Sequence, residues 1–165
     1  MKISKNRGMY LETIINNSIK HYENHKIALF RKQPVPIRIR SVHNLEVTGY
    51  LESKCDVDYY GVYQGRFIAL EAKQTSQDFF SYHQLLPHQI EYLQLVQHMQ
   101  GLSYLIIFFQ KTEHFYLVSF LRLWAVFQDN SHSKRIYETE LKQISQPLEL
   151  YFPGWLDFIK KIETV

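Results

Sequence analysis

Apolar positions recur at helical spacing from the start of the chain. Leu11, Ile14, Ile15, Ile19 and Tyr22 fall on one face of an amphipathic helix that packs on a core. Residues 27–31 then read as a strand. In the run 35–40 apolar residues alternate with proline or arginine, and Pro36 inside it favours an edge or protruding strand. Between 41 and 54 the pattern fades; His43, Asn44 and Thr48-Gly49 hint at turns in a connecting or projecting region. Two strand-like runs follow, 57–63 and 66–73, and Gln64-Gly65 between them suits the tight turn of a hairpin. Residues 74–87 read as a loop with a short turn. Pro87 opens a helix whose stripe is Tyr92, Leu95, Val96 and Met99, and Gly101 stops it. The apolar run 102–109 predicts a central buried strand paired with 115–119, and Phe120, Leu123, Trp124 and Phe127 predict a further helix. The stretch 129–146 is polar, and 153–162 fits a short amphipathic helix.

Helices flanking a central set of strands make an α/β or α+β domain. At 165 residues, 45% apolar and 15% aromatic, the chain suits one domain with a real core. A net charge of +3 permits nucleic-acid binding without requiring it. The distribution says more: Arg31, Lys32, Arg38 and Arg40 gather in one segment, with Lys2, Lys5 and Arg7 at the start. Such clusters track phosphates or form a solvated basic face. The one cysteine, Cys55, excludes an internal disulfide and a thiolate zinc cluster and fits a reducing compartment. The N-terminal residues lack the apolar core of a signal peptide, and no run is long enough to span a bilayer, so a soluble cytoplasmic protein without a membrane partner is expected.

The chemistry concentrates in residues 56–73. The second strand of the hairpin is apolar until it ends in Glu71-Ala72-Lys73, which places an acid and a base on one strand face. Folding back along the hairpin brings Asp58 towards Glu71. Two carboxylates at close range need a proton or a cation between them, and oxygen ligands suit magnesium. Lys73 adds a cationic donor able to orient water or stabilise charge on a phosphate. Acid and base two apart are also a common surface ion pair, but the apolar lead-in argues against simple exposure. Glu12, at the edge of the first helical stripe, is either a boundary carboxylate or an accessory to the site. Glycine-rich phosphate loops are absent, and no histidine pair shows the His-Glu-x-x-His arrangement of metalloproteases.

Residues 58–73 resemble the signature of the RecU-type Holliday junction resolvases, within the PD-(D/E)xK nuclease superfamily. Other blocks agree in order: Asn6-Arg7-Gly8-Met9 with Leu11-Glu12, then Lys32-Gln33-Pro34-Val35-Pro36-Ile37, then His88-Gln89-Ile90, then Leu156-Asp157-Phe158. The resemblance implies a restriction-endonuclease-like α/β fold, a mixed central sheet flanked by helices with a projecting stalk that is short here, over 41–54. It implies a homodimeric endonuclease, dependent on magnesium or alternatively manganese, that makes paired nicks in four-way junction DNA during recombination and repair, and an association with a strand-exchange recombinase. Carried over by position, Asp58 and Glu71 are metal ligands and Lys73 is the transition-state group. A family threonine and glutamine that serve the metal fall at Asp56 and Gln89, so Asp56 offers a third carboxylate if strand alternation holds. Arg7, Arg31, Lys32, Arg38 and Arg40 are the candidates for DNA backbone contacts. A nuclease of other DNA specificity and a non-catalytic junction-binding regulator are the alternatives.

Overall fold

The computed structural model describes residues 7–53, 55–129 and 134–162, without the side chains of Arg7 and Gly8. In chain order the elements are α1 (Arg7–Asn24), β1 (Leu29–Lys32), β2 (Ile37–His43), β3 (Glu46–Leu51), β4 (Tyr59–Tyr63), β5 (Arg66–Thr75), β6 (Phe79–Ser81), α2 (Pro87–His98), β7 (Leu102–Phe109), β8 (His114–Ser119), α3 (Phe120–Gln128), β9 (Arg135–Tyr137), α4 (Glu138–Ile144), β10 (Ser145–Leu148), β11 (Leu150–Tyr151) and β12 (Trp155–Leu156). A six-stranded sheet runs β1-β4-β5-β7-β8-β10. Only β5 and β7 pair in parallel, and α2 lies in the connection between them; the other neighbours are antiparallel. This is the expected mixed sheet flanked by helices. No helix among the described residues is long and apolar enough to cross a membrane.

On one sheet face α1 buries Leu11, Ile14, Ile15, Ile19 and Tyr22 against Ile68, Leu70, Ile106 and the C-terminal Phe158. Each such side chain contributes roughly 2 kcal/mol when removed from water. The helix stops at a Schellman-type turn: Lys26 takes φ 54° and the Ile27 amide donates to the Tyr22 carbonyl at 2.9 Å. On the opposite face α2 and α3 cover Ala69, Leu105, Ile107 and Val118.

The β4–β5 hairpin closes through Gln64-Gly65, both at positive φ (47° and 75°), with Tyr63 opposite Arg66. These dihedral signs match the type I′ turn that suits strand twist. β2 and β3 form a separate two-stranded ribbon whose every residue is exposed. The run 35–40 therefore feeds this ribbon rather than the main sheet, and residues 44–51 supply its tip and return strand. The tip, Asn44-Leu45, again has positive φ at both positions.

Several expected elements differ. The buried positions of α2 are Gln89, Ile90, Leu93 and Val96, while Leu95 and Met99 are exposed. The helix is rotated because Gln89 turns inward to polar partners described below. Its stop uses Gln100 at φ 64°; a Cβ on Gly101 would meet Val96 Cγ1 at 2.7 Å, so the glycine there is needed for space. Residues 74–87 are not only loop: β5 continues to Thr75, and β6 pairs with β9. The polar stretch after 129 holds α4 and the edge strand β10, anchored by buried Leu141 and by Glu138, which accepts from Thr112 Oγ1 (3.0 Å) and Tyr116 OH (2.9 Å). Residues 153–162 form β12 and a single 3-10 turn, not an α-helix.

The α2 face of the sheet is only half covered. Leu29, Tyr60, Val62 and Phe67 point to solvent from β1, β4 and the start of β5, and α2 turns Leu95 and Met99 outward.

Gly61 sets the approach of β1 to β4: a Cβ there would lie 2.3 Å from the Leu29 carbonyl oxygen and 2.5 Å from the Phe30 ring. Gly61→Ala should therefore destabilise the protein by about 1–3 kcal/mol, the usual range for overpacking. A lowered denaturant midpoint with unchanged slope is the expected readout; an unchanged midpoint contradicts the clash.

Candidate active site

Glu71 sits where β5 leaves one partner and keeps the other. Antiparallel pairing with β4 ends at Tyr59↔Leu70, while parallel pairing with β7 continues, Glu71 lying opposite Leu105. The carboxylate is thus carried on a central strand and is only 1% exposed. Unpaired, such a group costs several kcal/mol. Here both oxygens have partners. Oε1 receives Gln89 Nε2 at 2.6 Å and faces Lys73 Nζ at 2.8 Å, and Oε2 receives the Asp58 amide at 3.2 Å.

Gln89 ties this group to α2. Its Oε1 accepts from Lys73 Nζ at 3.0 Å and from the Leu86 amide at 3.1 Å, so one amide side chain caps the first turn of the helix and holds both ends of the Glu71–Lys73 pair. Pro87 at the first helical position fits the same turn, having no N–H to satisfy. Burial above all, then the negative charge of Asp58, pushes the Glu71 carboxyl up to about 7 against the opposing pull of Lys73.

Asp58 precedes β4, beyond the last paired residue, and its side chain crosses to the α1 side. Oδ2 accepts from the Ala72 amide at 2.9 Å, and the Asp58 and Glu71 carboxyls lie within hydrogen-bonding reach of each other. It opens on a pocket of about 180 Å³ lined also by Glu12, Lys32, Ala72 and Gln74. Gln74 Oε1 is buried without a hydrogen-bond partner. The Asp58 and Glu12 carboxyls and the unused Gln74 amide oxygen that line this pocket are donors of the type hard divalent cations take, with Glu71 hydrogen-bonded behind Asp58, and the residues present fit such an ion.

The structure thus brings together Asp58, Glu71, Lys73 and Gln89, with Glu12 at the rim. It does not bring in Asp56. Residues 56–58 lie before the strand, so alternation does not govern them; Asp56 is half-buried, and its charge acts on the Tyr92 hydroxyl of α2. Among the described residues no three His, Cys, Asp or Glu side chains cluster closely enough to hold a metal by themselves. Lys32 pairs with Glu12 beside the pocket. Arg31 on β1 makes a two-pronged pair with Glu23, at 2.7 and 3.1 Å. Arg38, 3.9 Å from Glu52, and exposed Arg40 stand on the β2–β3 ribbon. The side chain of Arg7, like Lys2 and Lys5, lies outside the described residues. Gln74 was not among the expected site residues, although strand period put it with Ala72, on the face opposite Glu71 and Lys73.

Ionisation of Glu71 costs more in the folded chain than in the unfolded one. Below about pH 4.5 both states hold the proton and the site is neutral in its effect. Between about 4.5 and 7 the unfolded chain releases the proton first, so this group's effect on stability falls as pH rises, by about 3 kcal/mol in full. Without divalent cations, urea unfolding from pH 4.5 to 8 should show this decline in the native chain relative to Glu71→Gln. Parallel stability curves for the two proteins would contradict the raised carboxyl.

A family model described as RecU, Recombination protein U, matches residues 6–164. Two curated proteins called Holliday junction resolvase RecU align along almost the whole chain. The one from Ureaplasma parvum serovar 3 is 35% identical over 98% of this chain and 95% of its own length. The one from Mycoplasmopsis pulmonis is 36% identical over 99% of this chain and 98% of its own length. Among solved structures, Hjc from Archaeoglobus fulgidus, a Holliday junction resolvase, superposes with a TM-score of 0.49 at 10% identity, over 82% of this chain and 94% of that one.

Proposed function

We propose that this protein, which belongs to the RecU family, is a divalent-metal-dependent endonuclease that makes paired nicks in four-way DNA junctions. One observation carries the reading beyond the relatives' names: a carboxylate 1% exposed, carried on a central strand and gripped by Lys73, Gln89 and the Asp58 amide. A buried ionisable side chain with so many partners beside a second carboxylate is the pattern at which functional sites cluster.

Asp58 and Glu71 would hold the ion, magnesium or manganese; Asp58 shares its pocket with Gln74 and Glu12. An ion held there would supply Lewis-acid polarisation of the scissile phosphate and a more acidic water. Lys73 is kept in place by two contacts, so its ammonium is ready to stabilise negative charge as it accumulates on the phosphate. Gln89 holds Glu71 and Lys73 in register and does no chemistry of its own. Lys32, Arg31, Arg38 and Arg40 supply contacts to DNA phosphates, giving affinity that weakens with salt and little sequence readout. The exposed ribbon β2–β3 is the element that reaches into the junction.

A four-way junction has two-fold symmetry, and a nuclease that cuts opposed strands needs two sites. The uncovered apolar sheet face, with Leu29, Tyr60, Val62 and Phe67, supports a homodimer built on that side.

Lys73→Ala should reduce nicking of a four-way junction by at least about a hundredfold while leaving junction binding within about twofold. Junction, plain duplex and single-stranded DNA compared side by side test the specificity: equal cutting of all three supports a nuclease of other preference. Binding without any nicking by the native chain supports a regulator. Because the ion needs Glu71 ionised, metal affinity measured by calorimetry should rise as pH passes through about 7, with proton release on binding.

Phe67→Glu should convert the dimer to a monomer in light scattering and uncouple the paired nicks. An unchanged mass would place the contact between copies elsewhere.

A further inference from the structure

The far side of α1, away from the carboxylates, carries a second group of side chains that the nuclease reading leaves unused. His21 and Trp155 stack with ring centroids 3.9 Å apart and planes within 17°. Tyr151 stacks on Trp155 at 5.1 Å, and His25 lies 4.3 Å from His21. The result is a ladder of four rings. Beside it runs a groove of about 510 Å³, to which Lys20, Asn24, His21, Trp155 and Phe152 contribute. Phe152 is 96% exposed.

That exposure is not the looseness of a dangling loop. Phe152 stands between β11 and β12, and the hairpin is fastened to α1 at several points. Asn17 Nδ2 donates to the Gly154 carbonyl at 3.0 Å, the Leu156 amide donates to Ser18 Oγ at 2.8 Å, and Tyr22 OH donates to the Leu156 carbonyl at 2.7 Å. The turn itself is closed by the Gly154 amide on the Tyr151 carbonyl at 2.7 Å. A phenyl ring is therefore held in water on an anchored hairpin, next to a stack of aromatic rings. Isolated exposed leucines and valines need no account, but a ring presented in this way beside a groove does.

We infer that this groove is a second nucleic-acid site, which takes an unpaired base of single-stranded DNA against Phe152 and the Tyr151–Trp155–His21 ladder, with Lys20 on the adjoining phosphate. Charge favours this occupant over an apolar protein segment. Among the described residues Lys20, which lines the groove, has no acid within ion-pair distance; Glu23 and Asp157 are taken up by Arg31 and Lys160, and Glu149 accepts from Tyr151 OH at 3.4 Å. The groove thus combines an exposed ring with a lysine ammonium, the pairing that binds single strands without sequence preference. Duplex has no free base faces to offer except at its ends, so the site distinguishes single strand from duplex by chemistry alone. The inference goes beyond the nuclease reading and does not depend on it.

The test uses the full chain and a fluorescently labelled oligo-dT. Phe152→Ala should weaken oligo-dT binding roughly five- to tenfold, the range for losing one stacked base. Lys20→Ala should weaken it and reduce the slope of log affinity against log salt by about 0.7. Saturating oligo-dT should quench the indole emission of the native chain, and a Trp124→Phe variant should keep the quench, since Trp155 is the ring in the groove. Magnesium-dependent nicking of a four-way junction by Phe152→Ala should match the native chain; that assay reports on the carboxylate site separately. Unchanged oligo-dT affinity in Phe152→Ala overturns the proposal, as does a change in its oligomeric mass, which would make the face a contact between copies. Phe152 is almost wholly in water, so its removal leaves the folded core intact, and an unchanged circular dichroism spectrum verifies this.

Discussion

Holding the Glu71 carboxylate inside the sheet is the constraint around which the rest of the molecule is arranged. A charge at that depth is tolerable only with donors on both oxygens, and the donors come from three places: a residue two further along the same strand, the backbone before β4, and α2. The demand on α2 reaches furthest. Gln89 must face inward, and a helix has no freedom to turn one residue without turning all of them. Ile90, Leu93 and Val96 become the buried stripe, and Leu95 and Met99 are left outside. A polar contact at one end of the helix thus decides which apolar residues remain on the surface beside the uncovered strands.

Legibility in the sequence followed the length and regularity of each element. Helix α1, strands β4, β5, β7 and β8, and helix α3 have long or strongly patterned apolar runs, and each lies close to where its pattern put it. The tight turn at Gln64-Gly65 was equally plain, because few residue pairs accept two positive φ values. Elements of two to four residues, such as β6, β9 and β10, have no period to detect, and their order comes from contacts distant in sequence, such as those of Glu138 with Thr112 and Tyr116. The stripe of α2 was misread because apolar residues at 92, 95, 96 and 99 make as good a helical face as 90, 93 and 96. Only the inward Gln89 separates the two, and a glutamine carries no hydrophobic signal.

The same contrast holds within the site. Glu71 and Lys73 were legible together because strand alternation fixes their relation wherever the strand goes. Asp58 was legible through the hairpin, which brings it back towards the same strand. Asp56 was treated by the same rule, but the strand begins at Tyr59, and before it the backbone bends and alternation has no hold. Among the described residues no three acidic side chains come close enough to share an ion, so two carboxylates rather than three face each other. That limits the repulsion the fold must absorb without an ion: with one of the two able to keep its proton up to about pH 7, the pair can be stable in the ion-free chain.

The basic residues follow a different logic from the carboxylates. Arg31, Lys32 and Arg38 are each paired with an acid, but those pairs are exposed, and exposed pairs are worth little. A DNA phosphate can therefore take over the cation at small cost, while the acid it leaves is already in water. The ribbon that carries Arg38 and Arg40 has no core of its own, since both its strands are exposed throughout, and a two-stranded hairpin is marginal by itself. In the proposed function chemistry falls to β5, a central strand whose pairing with β7 continues past Glu71 and Lys73. Recognition would then fall to the part least tied to the core, where pairs are easily exchanged and a ribbon could adjust to a branched substrate without moving the carboxylates.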